Sequence, residues 1–475
     1  MRLVVFTLLV GCLLATPVWG AGNIPTSEPD FTGITVLDLQ TAQRLSLEQN
    51  PGVTAARARF EQARARVRQA SAAWWPSIDV NGQLMRTRRS DSAYDTLYAL
   101  PGQSLDRSYD SSAASLKASW LLFDGFYRKF QQKQMELGRQ SAKAARLDIQ
   151  RQLVSAVAEA FYNAQLTQTK VEIAEADKAF YQRQVADANS RYEAGTGAWG
   201  DVLNFKVQLN RALTTQKLEK RQYEAAMYGL AALLGVPDAT FPQGLHLAGL
   251  DKECIINCSL DQADTLIKEA LAVRPDINRL TLQVAEAEAA TGKAEAPFWP
   301  TVQLDGAVNG ANQDGYGLSD EDFGNYIAVN VGWNLFSGGA DKARLFEAKQ
   351  RRREIAYTLV DLRNKVAAEV RQDIALFAAA GEQVRLQRES VALVEENRRL
   401  AQSEYDAGAA SLVRLNEAQR DLTTTYSLLA QALVNYQLTR QRLLAATGRN
   451  LLPFAEAVTG KDNAATGEGA ENPLQ

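Results

Sequence analysis

The side chains that most often carry out chemistry are scarce in this chain. His246 is its one histidine, which leaves little room for imidazole catalysis or for a metal site built from several histidines. The glycine-rich run GTGAWG at 195–200 resembles a phosphate-binding loop, but no strand-like segment precedes it and no Lys-Ser/Thr pair follows it. Because no nucleophile, metal-ligand cluster or phosphate loop is convincing, the sequence predicts neither an enzyme nor a bound cofactor.

Two cysteines are close enough in sequence to react with each other. Cys254 and Cys258 lie in the segment ECIINCS, and a third cysteine, Cys12, lies near the N-terminus. In an oxidising compartment the first two could close a short disulfide loop, whereas two free structural cysteines are the alternative. A zinc site is disfavoured, because no second pair of ligands lies nearby.

The bulk composition argues against two classes of protein. Of the 475 residues, 23% are charged and the formal net charge is −3, so we expect no basic face for a nucleic acid. Hydrophobic residues make up 46% of the chain, which is too many for an intrinsically disordered protein.

The first 20 residues have the pattern of a secretory signal peptide. Arg2 is followed by an apolar run too short to cross a membrane, and small residues follow at Gly20 and Ala21. Lipoprotein-type cleavage before Cys12 is the alternative, which is disfavoured because apolar residues continue beyond that cysteine. No later stretch has the ~18 consecutive apolar residues of a membrane helix, so we expect any membrane contact to be made without apolar helices.

The chain repeats one order of short motifs. Leu122–Gly125 (LFDG) recurs as Leu335–Gly338 (LFSG), and Arg191–Gly195 (RYEAG) recurs as Glu404–Gly408 (EYDAG), both 213 residues later. A turn glycine at 235 recurs at 448, and the proline motifs at 51 and 76 recur at 275 and 300. These landmarks keep their order, which indicates a duplicated unit with one longer insertion in the first copy.

Each copy has room for two long helices. Proline breaks helix interiors, and none occurs between Gly102 and Val236 or between Thr301 and Leu452. Apolar residues at 147, 154 and 161 recur every seven positions, as they do along a packed helical seam. Glycine turns near 195 and 408 divide each stretch into an antiparallel helical hairpin. At ~1.5 Å per residue, the segment 126–194 alone could reach ~100 Å.

Four stretches alternate apolar and polar residues with the period of a β-strand. Their lengths are near the ~9–11 residues of a tilted transmembrane strand, and each would have one apolar face. A soluble sheet with one face on a core would show the same alternation. The four stretches are Ser77–Leu84, Ala114–Leu122, Val302–Asn309 and Ile327–Leu335.

The tryptophans favour a membrane sheet over a soluble one. Five of the seven lie where a strand meets a helix, and two β-hairpins would bring these junctions to one edge, like the aromatic girdle of a membrane barrel. The opposite ends of the strands carry polar loops suited to the external surface. The five residues are Trp74, Trp75, Trp120, Trp299 and Trp333.

Four strands are too few to close a membrane barrel, for which about eight is the minimum. An open strand edge in lipid would leave backbone groups without hydrogen bonds, which is costly. The chain is therefore expected to share its barrel with copies of itself. Gly125 and Gly338 would let the backbone turn where the barrel becomes a helical tube.

These motifs resemble those of the TolC family of bacterial outer-membrane export channels, the outer membrane factors. The resemblance covers roughly Val36 to Gly448 and is based on the order and duplication of the motifs. It implies an α+β membrane protein with a duplicated unit of one β-hairpin and one long helical hairpin. In a homotrimer, a twelve-stranded barrel in the outer membrane would continue into a twelve-helix periplasmic tube.

The resemblance also implies partners and a division of the chain. The protein would be the exit duct of a tripartite efflux or type I secretion system, docked on a periplasmic adaptor and fed by an inner-membrane transporter. The expected parts are a signal peptide (1–20), a first repeat (21–236), an equatorial linker with both cysteines (237–262), a second repeat (263–450) and a disordered tail (451–475). In the first repeat, the β-hairpin is expected near 76–123 and the helical hairpin near 125–236. In the second repeat, they are expected near 300–336 and 338–448.

By position, the resemblance places Glu417 among the acidic residues that line the periplasmic gate of the family. Arg414 stands where some relatives have an aspartate, and Ala410 stands where some have an arginine that bonds to the first hairpin. Asp201 matches the aspartate that accepts that bond. We therefore expect Glu417 to line the constriction and Arg414 to pair with Asp201. The alternative is an ordinary i,i+3 surface pair between Arg414 and Glu417.

The two glycine turns resemble the adaptor-contacting tips of the family. Small residues there permit close approach of helices, although the glycines could serve the turns alone. Trp199, beside the first tip, could face an adaptor or cap the helical bundle. The tip residues are Tyr192, Gly195, Thr196, Gly197, Tyr405, Gly408, Ala409 and Ala410.

Other classes of protein explain fewer of these features. A secreted or surface scaffold or adhesin without a pore would keep the long helices but would not need four alternating strands bordered by tryptophan. A passive porin would need the strands but not helices of this length. The cargo stays open among drugs, metals and proteins.

Overall fold

The structure is a computed structural model in which the two halves of the chain repeat one plan. The signal peptide with Cys12, then Cys254 and Cys258, and residues 455–475 of the predicted tail lie outside the residues that it describes, whereas residues 451–454 belong to a short 3-10 helix, Arg449–Phe454. The described residues are 31, 33–92, 94, 106–242, 244–251, 253, 263–313 and 315–454.

The first half places a β-hairpin between helices. Its last two helices are joined by a short turn and form an antiparallel hairpin. In chain order, the elements are β1 (Val36–Leu37), α1 (Leu39–Gln49), α2 (Pro51–Ala72), β2 (Ser77–Arg88), β3 (Ser108–Asp124), α3 (Tyr127–Glu193) and α4 (Trp199–Leu234).

The second half repeats this order. Helices α3 and α7 each have 67 residues, and such a helix is about 100 Å long. The elements are β4 (His246–Leu247), which pairs in parallel with β1, then α5 (Ala263–Val273), α6 (Pro275–Ala294), β5 (Thr301–Asn312), β6 (Phe323–Gly332), α7 (Ala340–Asp406) and α8 (Leu412–Ala446).

The two hairpins join in one antiparallel sheet with the strand order β2-β3-β5-β6. The middle pair runs from Ser112↔Asn312 to Asp124↔Thr301, with a bulge between Leu121 and Phe123. Strands β2 and β6 each have a partner on one side only within the described chain. The sheet is therefore open at both edges.

Strand β6 is shorter than the alternation predicts. The predicted strand extends to Leu335, whereas β6 ends at Gly332. Gly332 pairs with Thr301, which is the first residue of β5. The residues after Gly332 consequently have no strand opposite them in the described part of the same chain, and alternation alone does not reveal this.

Each helical hairpin returns to the Asn-Pro or Arg-Pro motif that begins its repeat. The side-chain amide of Asn50 donates to the carbonyl oxygen of Leu233 at 2.9 Å, near the end of α4. At the equivalent positions, Arg274 Nη1 donates to the carbonyl oxygen of Ala446 at 3.0 Å, at the end of α8. Both side chains satisfy a carbonyl that the helix itself leaves without a partner.

Arg274 is buried, so its charge needs an acidic partner. It forms two hydrogen bonds to Asp276, at 2.8 and 3.1 Å, and one to Glu369 at 2.7 Å. Burial by itself would raise the pKa of Asp276, but the bonds and charge of Arg274, the charge of Arg151 and the Ile277 amide together keep this pKa below its ordinary value. Removing one partner of such a pair strongly destabilises a fold, because the other charge stays buried.

The long helices bury the seam that the sequence predicts. Val154 is fully buried and Phe161 nearly so, and both lie on the face of α3 that packs against other helices. Leu147 is partly buried and packs against the cluster that contains Leu47 and Phe454. The seven-residue spacing of the seam thus corresponds to packing along one face of a helix.

The sheet meets the helices through two glycines in a left-handed conformation. Gly125 and Gly338 both have φ +64°, which lets β3 and β6 turn into α3 and α7. Beside Gly125, the buried Arg128 donates to the Asp124 carboxylate at 3.0 Å and lies 4.6 Å from the ring centre of Trp74. Side chains from β3, from α3 and from the segment after α2 therefore stabilise the junction between β3 and α3.

The two glycines allow a matched test of the first junction. A Cβ on Gly125 would lie 2.4 Å from the carbonyl oxygen of Ala296, whereas a Cβ on Gly338 would have no atom within 4 Å. We expect Gly338→Ala to cost roughly 1–2 kcal/mol through its positive φ alone. Gly125→Ala should cost clearly more, as measured by thermal unfolding in detergent. Equal losses would show that the contact with Ala296 does not matter.

Candidate functional site

One face of the sheet is apolar and exposed. The register places its large apolar side chains on the same side of all four strands, and Ile327 is 83% exposed. A contiguous apolar surface of this kind marks an interface with a membrane or with another protein. The exposed residues are Ile78, Val80, Leu84, Leu116, Val308, Ile327, Val329 and Val331.

The opposite face of the sheet is polar and centres on Asp305. Its carboxylate accepts hydrogen bonds from Ser119 at 2.7 Å, Gln303 at 2.8 Å and Asn330 at 2.8 Å. The Lys117 ammonium lies 3.7 Å away. Side chains from β3, β5 and β6 thus meet on one carboxylate. Apolar and polar faces of this kind are those of a transmembrane barrel strand.

All five tryptophans of the predicted girdle lie at the junction end of the sheet. Trp120 Nε1 donates to the carbonyl oxygen of Trp74 at 3.0 Å, and Trp333 Nε1 donates to that of Phe298 at 3.2 Å. Trp75 and Trp299 lie two residues before the first residues of β2 and β5, and both are exposed. Their shared level is the arrangement expected of an interfacial belt.

The opposite ends of the helical hairpins have the same turn twice. The Thr196 and Gly197 amides donate to the carbonyl oxygen of Arg191 at 2.9 and 3.0 Å. In the second hairpin, the Ala409 and Ala410 amides donate to that of Glu404 at 2.8 and 3.1 Å. The Gly195 and Gly408 amides likewise donate to the carbonyls of Tyr192 and Tyr405, and both glycines have positive φ. Glycine at this position is the usual end of a helix.

Arg191 joins the two tips. Its guanidinium pairs with Asp406 at 2.8 Å and lies 5.2 Å from the ring centre of Tyr405. Phe205 packs edge-on against the same tyrosine, with the ring centres 6.1 Å apart. The sequence-based assignment missed Arg191 and Asp406 as a pair. Arg191 immediately precedes the first Y-x-x-G motif and Asp406 lies inside the second, and this closeness to the motifs was the available signal.

Trp199 lies on the first tip and not inside the bundle. It is 46% exposed, and its ring centre is 5.0 Å from that of Tyr192. The Lys206 ammonium lies 5.2 Å from the Trp199 ring centre. The first tip therefore presents an aromatic pair with a neighbouring cation, whereas the second tip has alanines.

The three predicted gate residues do not form one cluster within the chain. Glu417 is exposed and Asp201 is partly buried. Arg414 donates to Glu404 at 3.0 Å, so among the described residues its acidic partner is not Asp201 as expected. Arg414 and Asp201 hold equivalent positions on the two hairpins. Glu404 lies near the end of α7, across the short turn from Arg414 in the first turn of α8.

A partly buried polar cluster lies further along the hairpins from the tips. Asp177 accepts hydrogen bonds from Gln419 at 2.8 Å and from Thr423 at 3.2 Å. Burial raises the pKa of Asp177 despite these two bonds. Arg398 donates to the same glutamine at 3.2 Å, and burial together with Arg183 lowers the pKa of Arg398. These bonds connect α3, α7 and α8.

Within the described ranges, none of the helices has both the length and the apolarity needed to cross a membrane. In the same part of the chain, no three His, Cys, Asp or Glu side chains come together as metal ligands.

A sheet with one lipid-like face, carried on helices about 100 Å long, defines a channel-forming protein of the bacterial envelope. The sequence model of the outer membrane efflux protein family matches residues 43–236 and 266–449, and the chain belongs to this family. It is an outer-membrane efflux channel with a periplasmic helical tube, and it is not an enzyme. The two matched ranges correspond to the two repeats.

Relatives and solved structures agree with this assignment. Nodulation protein T of Rhizobium leguminosarum bv. trifolii is 25% identical over 422 residues, which is 86% of this chain and 85% of that protein. The toluene efflux pump outer membrane protein TtgI of Pseudomonas putida is 27% identical over 398 residues, 83% of this chain and 80% of that protein. The CmeC outer membrane channel of Campylobacter jejuni has a similar fold, with a TM-score of 0.75, 15% identity and coverage of 87% of this chain and 86% of that one.

The Arg191–Asp406 pair gives a prediction for the mobility of the tips. Exposed ion pairs contribute ~0.2–1 kcal/mol, so Arg191→Gln should speed amide exchange at Thr196 and Gly197 by at most about fivefold. Hydrogen–deuterium exchange with mass spectrometry measures this effect. The charge-exchanged double variant R191D/D406R should restore slow exchange. Arg385→Gln, which breaks an exposed pair within α7, is the control and should leave the tips unchanged. Unaltered exchange in Arg191→Gln would exclude a role for the pair.

Proposed function

We propose that three copies of this chain form one duct, with a twelve-stranded barrel in the outer membrane and a twelve-helix tube in the periplasm. The observation that carries this proposal is the open four-stranded sheet with an exposed apolar face. In lipid, the backbone groups on the free sides of β2 and β6 need partners. Pairing β6 of one copy with β2 of the next supplies them, and three copies give twelve strands, within the range of known barrels.

The helices follow the same symmetry in this proposal. Each copy contributes α3, α4, α7 and α8 to the wall of the tube, and exposed apolar side chains remain on the helices of the single chain. Those on α7 include Phe346, Tyr357 and Leu393, and those on α4 include Leu203 and Leu218. Contact between α7 of one copy and α4 of the next would cover both sets.

The periplasmic tips are the proposed docking points for an adaptor protein, which connects the duct to an inner-membrane transporter. The narrow backbone turns at Gly195 and Gly408 support this role, since small residues allow close approach by another helix. Relatives with different cargoes share this fold, among them a toluene efflux protein and the cation efflux protein CusC. We therefore assign the choice of cargo and the energy for export to the transporter.

A pore-free scaffold is the second candidate, and the apolar face of the sheet argues against it. On such a scaffold that face would be left in water, where contiguous exposed apolar patches promote aggregation. The family assignment argues against a scaffold as well.

The trimer and its membrane contact can be tested together. The purified protein should require detergent and should have the mass of three chains. Lipids with bromine on their acyl chains should quench the fluorescence of Trp120 and Trp333, which are exposed at the sheet. Trp199, on the distant tip, should not be quenched. Trp199→Phe should therefore not lower the fraction of the tryptophan fluorescence that the brominated lipids quench. A monomer that dissolves in buffer without detergent would refute the proposal.

Glu417 is the proposed acidic residue of the periplasmic constriction. Its exposure in the single chain leaves the carboxylate free to face the pore. Three such carboxylates would attract cations, so Glu417→Gln should reduce the cation preference measured by reversal potentials in planar bilayers. Glu382→Gln removes an exposed carboxylate on α7 and should have no effect. An unchanged reversal potential in Glu417→Gln would remove Glu417 from the gate.

A further inference from the structure

The apolar face of β2 changes abruptly to a basic one. Ile78, Val80 and Leu84 lie on the face that we assign to lipid, and the next two side chains on that face are Arg86 and Arg88. Alternation fixes this placement, because residues two apart on a strand share a face. The arginines therefore belong to the outer surface of the sheet and not to the polar interior.

The level of these arginines matches the far boundary of the membrane. Trp75 marks the junction end of the sheet, and Arg86 lies eleven residues further along the chain. At ~3.3 Å per residue and a tilt of ~40°, this separation is roughly 28 Å, close to the ~25 Å apolar band of membrane barrels. The junction end leads to the periplasmic helices, so Arg86 and Arg88 lie at the outer leaflet.

Neither arginine is fully neutralised by the described part of the chain. The side chain of Arg86 is 73% exposed, and its contact with Asp110 is long, at 3.5 Å. Asp110 also accepts a hydrogen bond from the Tyr316 hydroxyl at 2.9 Å. Arg88 is exposed and has no acidic partner among the residues that the structure describes. Both guanidinium groups therefore have donors available for another anion.

Two other arginines at this end of the sheet are engaged differently. Arg89 lies on the opposite face, where it stacks 4.6 Å from the Tyr109 ring centre and donates to the carbonyl oxygen of Asp106 at 3.0 Å. Arg107 lies opposite Arg89, whose amide donates to the Arg107 carbonyl oxygen at 2.9 Å, so it shares that face, and it pairs with Asp91 at 3.3 Å. Of these four described arginines, Arg86 and Arg88 are the two that combine an outward position with free donors.

We propose that Arg86 and Arg88 bind the phosphate groups of an outer-leaflet lipid, such as the lipid A part of lipopolysaccharide. This inference rests on the proposed membrane barrel. Guanidinium groups suit the ligand because they hold phosphate with two parallel hydrogen bonds and keep their charge. The neighbouring apolar residues of β2 would contact the acyl chains of the same lipid. One strand face thus recognises both parts of the molecule.

The binding test uses the detergent-purified full-length protein and native mass spectrometry. Diphosphorylated lipid A should bind the parent, and each of Arg86→Gln and Arg88→Gln should weaken binding by about fivefold. The double variant R86Q/R88Q should lose more than either single one. R89Q/R107Q removes the same charge from the other face and should bind like the parent. Lipid A without phosphates should not distinguish the parent from R86Q/R88Q.

Three results would overturn the inference. The first is equal binding of diphosphorylated lipid A by the parent and R86Q/R88Q. The second is displacement of the lipid by millimolar inorganic phosphate, which would indicate a site for free anions. In the third result, R86Q/R88Q would lower the thermal stability of the lipid-free protein. The arginines would then be held by acidic groups of the protein itself, either Asp110 or the acidic turn Asp320–Asp322 of a neighbouring copy.

Channel formation in bilayers of phospholipid alone separates this inference from the proposed function. The parent and R86Q/R88Q should conduct alike there, because no lipid A is present. If the parent forms no channel, the proposed function fails. If both form channels but bind lipid A equally, only the lipid site fails.

Discussion

The structure depends on one constraint, which is that a strand in lipid must find a hydrogen-bond partner for every backbone group. The chain builds four strands and leaves β2 and β6 with a free side each. Assembly of copies is therefore a condition for placing this sheet in a membrane, and the tryptophans and the junction glycines lie together at one end of the sheet. In the proposed assembly, a ring of strands from several copies would also place their long helical hairpins side by side.

The duplication reuses geometry with different side chains. Asn50 and Arg274 both satisfy a helix-end carbonyl, but the neutral amide needs no counter-charge, whereas the buried guanidinium requires Asp276 and Glu369. The two tips share one turn, yet among the described residues only the first displays an exposed aromatic pair. Backbone geometry is therefore the repeated property, while charge and surface chemistry have diverged between the copies. The two hairpins of each copy consequently present different surfaces to a partner.

Much of the fold could be read from local pattern. Alternation located the four strands, and the lack of proline with a seven-residue seam located the long helices, because both signals depend on residues close in sequence. The end of β6 was not predictable in this way, since it depends on where β5 begins. The contact of Arg414 with Glu404 within the chain was not predicted from local pattern either. Its equivalence to Asp201 reflects the duplication, whereas its actual contact with Glu404 depends on how closely the two helices of one hairpin approach.

Period, duplication and tryptophan placement in the sequence determined the duplicated plan, because they record which faces are apolar and where the chain must turn, and the resemblance of the motifs to the TolC family supplied the class of protein. The tertiary structure decided which charges meet. Arg191 pairs with Asp406 across 215 residues, and Asp305 collects donors from three strands. Such contacts depend on the distance between side chains in space, and local sequence periodicity carries no information about that distance.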